Sequence, residues 1–423
     1  MNYRELLNRY QKGLANEEEK QLVEEAIEKH EALEEYISER YAEEFDDITK
    51  TSDIEKQVVE TIKLKKSVNG RLRKVILTSV LIVVVLYVGI FYVGSGIVDL
   101  VYYDPSAVTQ SEKQAYQFPD FYYDMQAYIG LNMPGYSISS FTFQEPKGFG
   151  CYEVSYSLRD LFSEDTLRYS VNLSRGRLTY AEGGIFSSEN RFLIWRGFEK
   201  IQNIFSTATG EDTINVQEKE IQRRNEETTL YLKEFNSLSY LSMNIVFNKD
   251  LTMKEFYDMV EKYPSLDFKW VGVRTVAPGT VWRENQPVHL IGFDPNFNDE
   301  PSTNTQPDPK QYPLFNLVDF FGTLNKSNKE YSELISEAYG THFKSRLKYL
   351  RNREEFVSIF DYNNYKTDFY KDALAYIEEH GVKTYGVLVY GTAKDLSEHI
   401  NEIPYSSLYI NKVLPAKPNI YYE

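Results

Sequence analysis

Residues 75–98, VILTSVLIVVVLYVGIFYVGSGIV, are 24 consecutive residues without a charge. At about 1.5 Å per residue a helix of this length reaches roughly 36 Å, more than the ~30 Å of a bilayer's hydrocarbon core. A helix apolar on every side does not suit the surface of a soluble domain, and strands do not run this long. The stretch predicts a single membrane crossing. A cleaved signal peptide is the rival, but its apolar core is about 7–15 residues long and lies near the start of a chain. This run is longer and follows 74 other residues.

The flanks predict its direction. Residues 63–74 hold Lys63, Lys65, Lys66, Arg71, Arg73 and Lys74 with no acid, and the first charges beyond the run are Asp99 and Asp104. Basic flanks remain in the cytoplasm, so residues 1–62 are expected inside and residues 99–423 outside. Lys65, Lys66, Arg71, Arg73 and Lys74 are the expected membrane anchors, facing anionic headgroups. Tyr87, Tyr92, Tyr102 and Tyr103 suit an outer interface belt.

Charge narrows the functions. Residues 1–62 carry 18 acids against 8 Lys and Arg, residues 99–423 carry 45 against 33, and the whole chain stands at −16. Acidic surfaces on both sides exclude direct nucleic-acid binding, which needs a basic patch against phosphate. The one basic patch lies beside the bilayer. Cys151 is the single cysteine, so no intramolecular disulfide forms, and a large outer region must be held by its core. That suits a Gram-positive surface better than a eukaryotic secretory product, and leaves the sequons at Asn172 and Asn325 as coincidences. Thirty-five tyrosines and 25 phenylalanines fit a sheet-rich outer region, with a carbohydrate or peptide groove as a lesser reading.

Within residues 1–62, Tyr3, Leu6, Leu7, Tyr10 and Leu14 fall on one stripe of a short helix ending near Gly13. Asn16 and Glu19 form a capping box for a second helix expected to reach about Glu44. Leu22, Ala26, Ile27, His30, Leu33, Ile37, Tyr41 and Phe45 line one side of it. A third helix is expected from Ser52, with Glu55 completing its box. Such narrow stripes cannot bury one another fully. One reading is a self-contained hairpin or a homodimeric coiled coil. The favoured reading is a docking module completed by another protein, through Tyr3, Leu6, Leu7, Tyr10, Leu14, Leu22, Ile27, Leu33 and Ile37.

The stretch YRELLNRYQKGLANEEEKQLVEEAIEKHEALEEYISE, residues 3–39, resembles the sigma factor regulator N-terminal family of membrane-bound anti-sigma factors from Gram-positive bacteria. The shared features are the short amphipathic helix, the Gly-Leu turn and the EEEKxxVEExIEKHE run. The resemblance implies an extracytoplasmic-function sigma factor as partner, held inactive at the membrane. Many related domains carry a His-x3-Cys-x2-Cys zinc motif. Here residues 1–74 contain no cysteine to follow His30, so a zinc-free module is implied.

Beyond the run, residues 105–135 read as irregular, with a short stalk. Tyr152, Val154, Tyr156 and Leu158 alternate with polar residues, as do Leu167, Tyr169, Val171 and Leu173 before the turn Arg175-Gly176, an antiparallel half-buried pattern. The polar stretch 209–229 reads as a solvated helix. Strands are expected at 240–247 and 268–276, a helix capped by Thr252 and Glu255 between them, and helices near 328–340 and 368–380. Gly381 is the expected left-handed cap of the last of these. Residues 382–390 are apolar on both faces and read as a central strand. Thr392 and Asp395 open a short helix, and 407–413 is the last strand.

The tail YGVLVYGTAKDLSEHINEIPYSSLYINKV, residues 385–413, resembles the sigma factor regulator C-terminal family, with 243–260 and 268–276 fitting its start. The resemblance leaves 105–235 uncovered. The fold class expected is α+β: a small all-α cytoplasmic module (1–62), a basic juxtamembrane segment (63–74), one transmembrane helix (75–98), a β-rich region (99–235) and an α+β region (236–423). The last two form one domain or a pair, with ferredoxin-like elements in a mixed sandwich.

Catalytic patterns are sparse. Ser345-Arg-Leu-Lys348 matches the SxxK of penicillin-recognising enzymes without its companion motifs, and Asp294-Pro-Asn296 opens like a calcium loop whose sixth position is Asp299 in place of Gly. No enzyme activity, metal or cofactor is expected. The expected function is that of a single-pass anti-sigma factor, occluding its sigma factor and releasing it on an envelope signal. That signal would act through another membrane protein, by ligand binding, or through a regulatory protease cutting the tether. The alternative is a membrane-anchored receptor or cell-wall enzyme with an incidental cytoplasmic tail.

Overall fold

The structure, a computed structural model, describes residues 3–46, 54–109, 118–182, 211–277, 289–297, 306–322, 330–360 and 365–418. The chain divides into two compact units, Met1–Gly89 and Ile90–Glu423.

The first unit is helical. Helix α1 (Tyr3–Gln11) leads through a short turn to α2 (Glu17–Asp46), and α3 (Ile54–Val88) follows. The predicted capping box is present: the Glu19 amide donates to Asn16 Oδ1 at 2.8 Å and the Asn16 amide to Glu19 Oε2 at 3.0 Å. Glu17, Glu18 and Glu19 place negative charge on the positive end of the α2 dipole. The expected Ser52 cap of the third helix lies outside the described residues. The helical stretch Lys66–Asp99 reaches a mean hydropathy of 2.7 with none of that window buried in protein, as a membrane crossing requires. It passes through a π-helical turn, Gly89–Gly94, into α4 (Ser95–Asp99).

The second unit is built on two antiparallel sheets. Helix α5 (Asp120–Asn132) precedes a meander of β1 (Tyr136–Gly148), β2 (Cys151–Asp160), β3 (Thr166–Ser174) and β4 (Arg177–Glu182), paired in that order. The alternation predicted for 152–158 appears as alternating burial along β2 as far as Tyr156, beyond which Ser157 is buried too. Helix α6 (Glu211–Glu234) then leads to β5 (Tyr240–Thr252), α7 (Met253–Lys262), β6 (Asp267–Val273) and β7 (Gly292–Phe293). Helices α8 (Tyr331–Arg351), α9 (Glu354–Ile359) and α10 (Tyr365–His380) precede β8 (Lys383–Thr392), α11 (Ala393–His399) and β9 (Tyr405–Leu414). The second sheet runs β7-β6-β8-β5-β9, all pairs antiparallel, so β5-α7-β6 and β8-α11-β9 are two crossovers that interleave.

Strand β8 is central, as its two-sided apolar pattern predicts. Val387 and Val389 face the main core with Leu241, Met243 and Ile245 of β5. Leu388 and Tyr390 face a second cluster with Tyr240, Trp270 and Phe162. The Thr252–Glu255 capping box of α7, the Thr392 cap of α11 and the left-handed Gly381 after α10 all appear where predicted.

Some expectations fail. The segment 105–135, read as irregular with a stalk, contains α5, in which every residue but Gly130 is buried. It packs against β1, β7 and α8. Two of its amide side chains are bonded inside the protein: Gln126 Nε2 donates to Asn316 Oδ1 at 2.8 Å and Asn132 Nδ2 to the Tyr370 hydroxyl at 2.8 Å. A helix surrounded on all sides has no polar face, hence no periodic signature. Helix α8 also runs to Arg351, well past the expected 340, and α9 was not anticipated.

Candidate functional site

The helical unit presents one candidate site, an apolar face without a cover among the described residues. The α1–α2 corner is fastened by polar contacts: Arg9 Nη1 reaches Glu19 at 2.6 Å, and the Tyr10 hydroxyl donates to Glu24 at 3.2 Å. Its buried apolar centre is Val23 and Ala15, neither of which the stripe reading selected. Val23 stands three and four residues before Ala26 and Ile27, so the spacing was there to be read.

The predicted contact residues remain outside that centre. Leu14, Leu22 and Leu33 are 66%, 57% and 58% exposed, and Leu7, Ile27 and Ile37 are also exposed. Leu6 and Tyr10 are half-buried at the corner, and the Tyr3 side chain lies outside the described residues. Tyr36 and Tyr41 extend the exposed row along α2. A solvent-facing row of this length exceeds scattered surface apolarity. Around it Glu25, Glu28, Glu31, Glu34 and Glu35 are exposed, so the face is apolar with an acidic rim. His30 is exposed beside Glu34.

The residues expected as anchors follow on α3. Lys66, Arg71, Arg73 and Lys74 are exposed on one continuous helix running into the apolar stretch, while the Lys65 side chain lies outside the described residues.

A second arrangement, absent from the sequence reading, lies at the other end of that stretch. The β1–β2 turn closes on α4. The Phe149 amide donates to Ser95 Oγ at 2.8 Å, and the Gly150 amide to Asp99 Oδ1 at 2.6 Å. Asp99 sits at a helix C-terminus, where the dipole disfavours a carboxylate, and the turn amides offset that. Gly150 has φ +72, and a Cβ there would press on Tyr102 and Val98. Tyr152 is buried beside Asp99 and Asp104. Burial and the two carboxylates push its hydroxyl well above the usual phenol range. The signals available were an acid just past the span and the Gly148-Phe-Gly150 turn.

The described residues of the SxxK and calcium-loop-like motifs make local structural contacts. Ser345 Oγ donates to Pro313 O at 2.5 Å and Lys348 Nζ to Gln311 O at 3.3 Å, so both anchor one loop. Asp294 Oδ1 accepts the Asn296 amide at 2.9 Å in a local turn. A shallow cleft of about 600 Å³ between α6 and Tyr405 includes Asn225, whose side chain is committed to Ser406 O and the Leu408 amide at 2.9 Å each.

The chain thus contains a helical unit with an open apolar face, a membrane-length helix and a folded α+β region. Residues 232–405, from the end of α6 to the first residue of β9, match the sigma factor regulator C-terminal family. The match supports an anti-sigma role in transcription regulation. No curated protein and no solved structure matches the chain.

Proposed function

We propose that this chain is a single-pass, membrane-bound anti-sigma factor of a Gram-positive bacterium. Its residues 1–62 lie in the cytoplasm and hold an extracytoplasmic-function sigma factor. The match of 232–405 carries the reading, and the open face of α1 and α2 supports it. A sigma factor presents basic surface to promoter DNA and apolar surface to polymerase. An apolar row with an acidic rim complements both. Inhibition is then occlusion, with no bond made or broken and no cofactor. The basic residues 63–74 support the inside orientation of the N-terminus.

The C-terminal region, in this reading, is extracytoplasmic and receives an envelope signal, through another membrane protein or a protease acting on the tether. Its β9-β5-β8-β6 order with two interleaved crossovers supports a ferredoxin-like arrangement extended by β7 and by the helices between β7 and β8. The test is a reporter driven by a promoter of the partner sigma factor. Deleting residues 1–60, or substituting Leu7→Asp or Leu33→Asp, should raise its output and abolish co-purification. Co-purification unchanged by both substitutions removes this face from the interface.

A further inference from the structure

The helix that crosses the membrane also fixes how deep its neighbours lie. Phe91 is seven residues before Val98 within the uncharged run, about 10 Å along the helix axis. With a ~30 Å core centred on a ~36 Å run, the hydrocarbon boundary falls near Ser95 and leaves Phe91 below it. The β1–β2 turn is bound at both levels. Its Phe149 amide reaches Ser95, and the Phe149 ring meets the Phe91 ring edge-on with centroids 5.5 Å apart.

The neighbouring turn shares this position. The Arg175 amide donates to Gly150 O at 2.7 Å, and Gly176 faces the Tyr102 ring. Arg175 and Arg177 are both exposed. Phe149 (φ 54) and Arg175 (φ 51) occupy left-handed backbone positions that glycine or asparagine takes with less strain. An aromatic and a long cation therefore stand where the backbone alone would favour neither. The acids close by are engaged: Asp99 with the Gly150 amide and Ser95, and Glu145 and Glu153 with Lys147.

We propose that the two turns, residues 148–151 and 174–177, form a bilayer-contact surface. Phe149 enters the boundary between headgroups and acyl chains beside Phe91, and Arg175 and Arg177 stand at the level of the lipid phosphates. An aromatic at the boundary with cations above it is the distribution that interfacial anchors adopt. The four-stranded sheet then stands on the membrane and is not held away from it by a stalk. The proposal rests on the crossing by 75–98. It needs neither the sigma factor reading nor a particular orientation.

The test uses the full chain with Cys151→Ser, reconstituted in vesicles of phosphatidylcholine and phosphatidylglycerol. Nitroxide labels are placed at Phe149→Cys, Arg177→Cys, Leu81→Cys within the run and Lys254→Cys on α7. Collision with dissolved oxygen against a water-soluble nickel chelate reports depth. Leu81 should read deep, Phe149 near the acyl boundary, Arg177 at phosphate level and Lys254 aqueous. Nickel collisions at positions 149 and 177 should fall several-fold below those at 254. Arg177 is exposed, so its label disturbs no packing and guards against misfolding at 149. Nickel access at 149 and 177 equal to that at 254, with 81 still deep, overturns the contact surface and leaves the crossing intact. An aqueous label at 81 overturns the crossing and the proposal with it.

Discussion

Phe162 lies flat on Tyr240, with ring centroids 5.2 Å apart and planes within 5° of parallel. Phe162 belongs to the turn between β2 and β3, and Tyr240 opens β5, so this stack fastens the four-stranded sheet to the five-stranded one. Tyr390 closes on Phe162 edge-on at 5.0 Å, and Lys412 of β9 meets Asp160 of β2 at 2.6 Å. The opposite end of the same sheet grips Ser95 and Asp99. The meander thus has one end on the central strands and the other at the helix exit.

Removing the Phe162 ring should loosen that junction. Phe162 is 2% exposed, so Phe162→Ala is expected to cost about 3–5 kcal/mol. Hydrogen exchange should accelerate along β2 and β3 while the β5–β8 amides stay protected. Uniform acceleration across both sheets would mean that the stack serves the whole core and not the junction.

What the sequence discloses follows from how each element is solvated. Strands β2 and β3 have one wet face, so their alternation is explicit, and β8 has none, so its continuous apolar run marks the centre. The caps at Thr252 and Thr392 are legible because their partners lie three residues away. Helix α5 is hidden: Phe121, Tyr122, Tyr123 and Tyr128 read as strand or loop formers, and only surrounding elements make them a helix. The grip of Phe149 and Gly150 on Ser95 and Asp99 joins residues more than 50 positions apart and leaves no local pattern. Gly135 is similar, since its φ of +76 is a turn property, while the crowding by Tyr390 above it is tertiary. For the candidate interface, the exposed leucines of α2 were legible and the buried Val23 was passed over.

Asp124 is the polar centre of the C-terminal unit. It is fully buried and accepts from Arg353 Nε at 2.6 Å, Arg353 Nη2 at 2.8 Å, the Tyr103 hydroxyl at 2.6 Å and the Tyr349 hydroxyl at 2.9 Å. Asp120 stands 3.3 Å from the same guanidinium. Burial alone raises the Asp124 carboxyl, while the four donors favour its ionised form. Asp124→Ala should cost about 3–5 kcal/mol by leaving Arg353 inadequately paired. The double variant Asp124→Leu/Arg353→Met should recover part of that loss in denaturant unfolding. Equal losses in single and double variants would locate the cost in packing.

His342 sets a pH dependence. It is buried, its Nδ1 donates to Leu314 O at 2.8 Å, and burial together with Arg346 lowers its pKa well below the ordinary 6.5. The unfolded chain takes up a proton near pH 6.5 and the folded chain does not. Stability from this group is therefore complete above that pH and falls as pH drops below it, by up to about 1.4 kcal/mol per unit. His342→Gln should flatten the slope between pH 6.5 and 5 in unfolding titrations. An unchanged slope would assign the acid sensitivity to other groups.

The helical unit separates folding from binding by two neighbouring kinds of residue. Val23 has no exposed surface, whereas Leu33 is 58% exposed. Val23→Asp should unfold the α1–α2 corner, seen as lost helicity and rapid exchange at Leu14 and Ala15, because an unpaired carboxylate is costly to bury. Leu33→Asp should leave helicity within about 0.5 kcal/mol of the parent, the range of ordinary surface substitutions, and abolish partner capture. A protein that folds normally yet releases its partner ties the exposed row to recognition. If Leu33→Asp disrupts the helix as Val23→Asp does, the row is already covered, by α3 or by a second copy, and the unit needs no sigma factor to complete it.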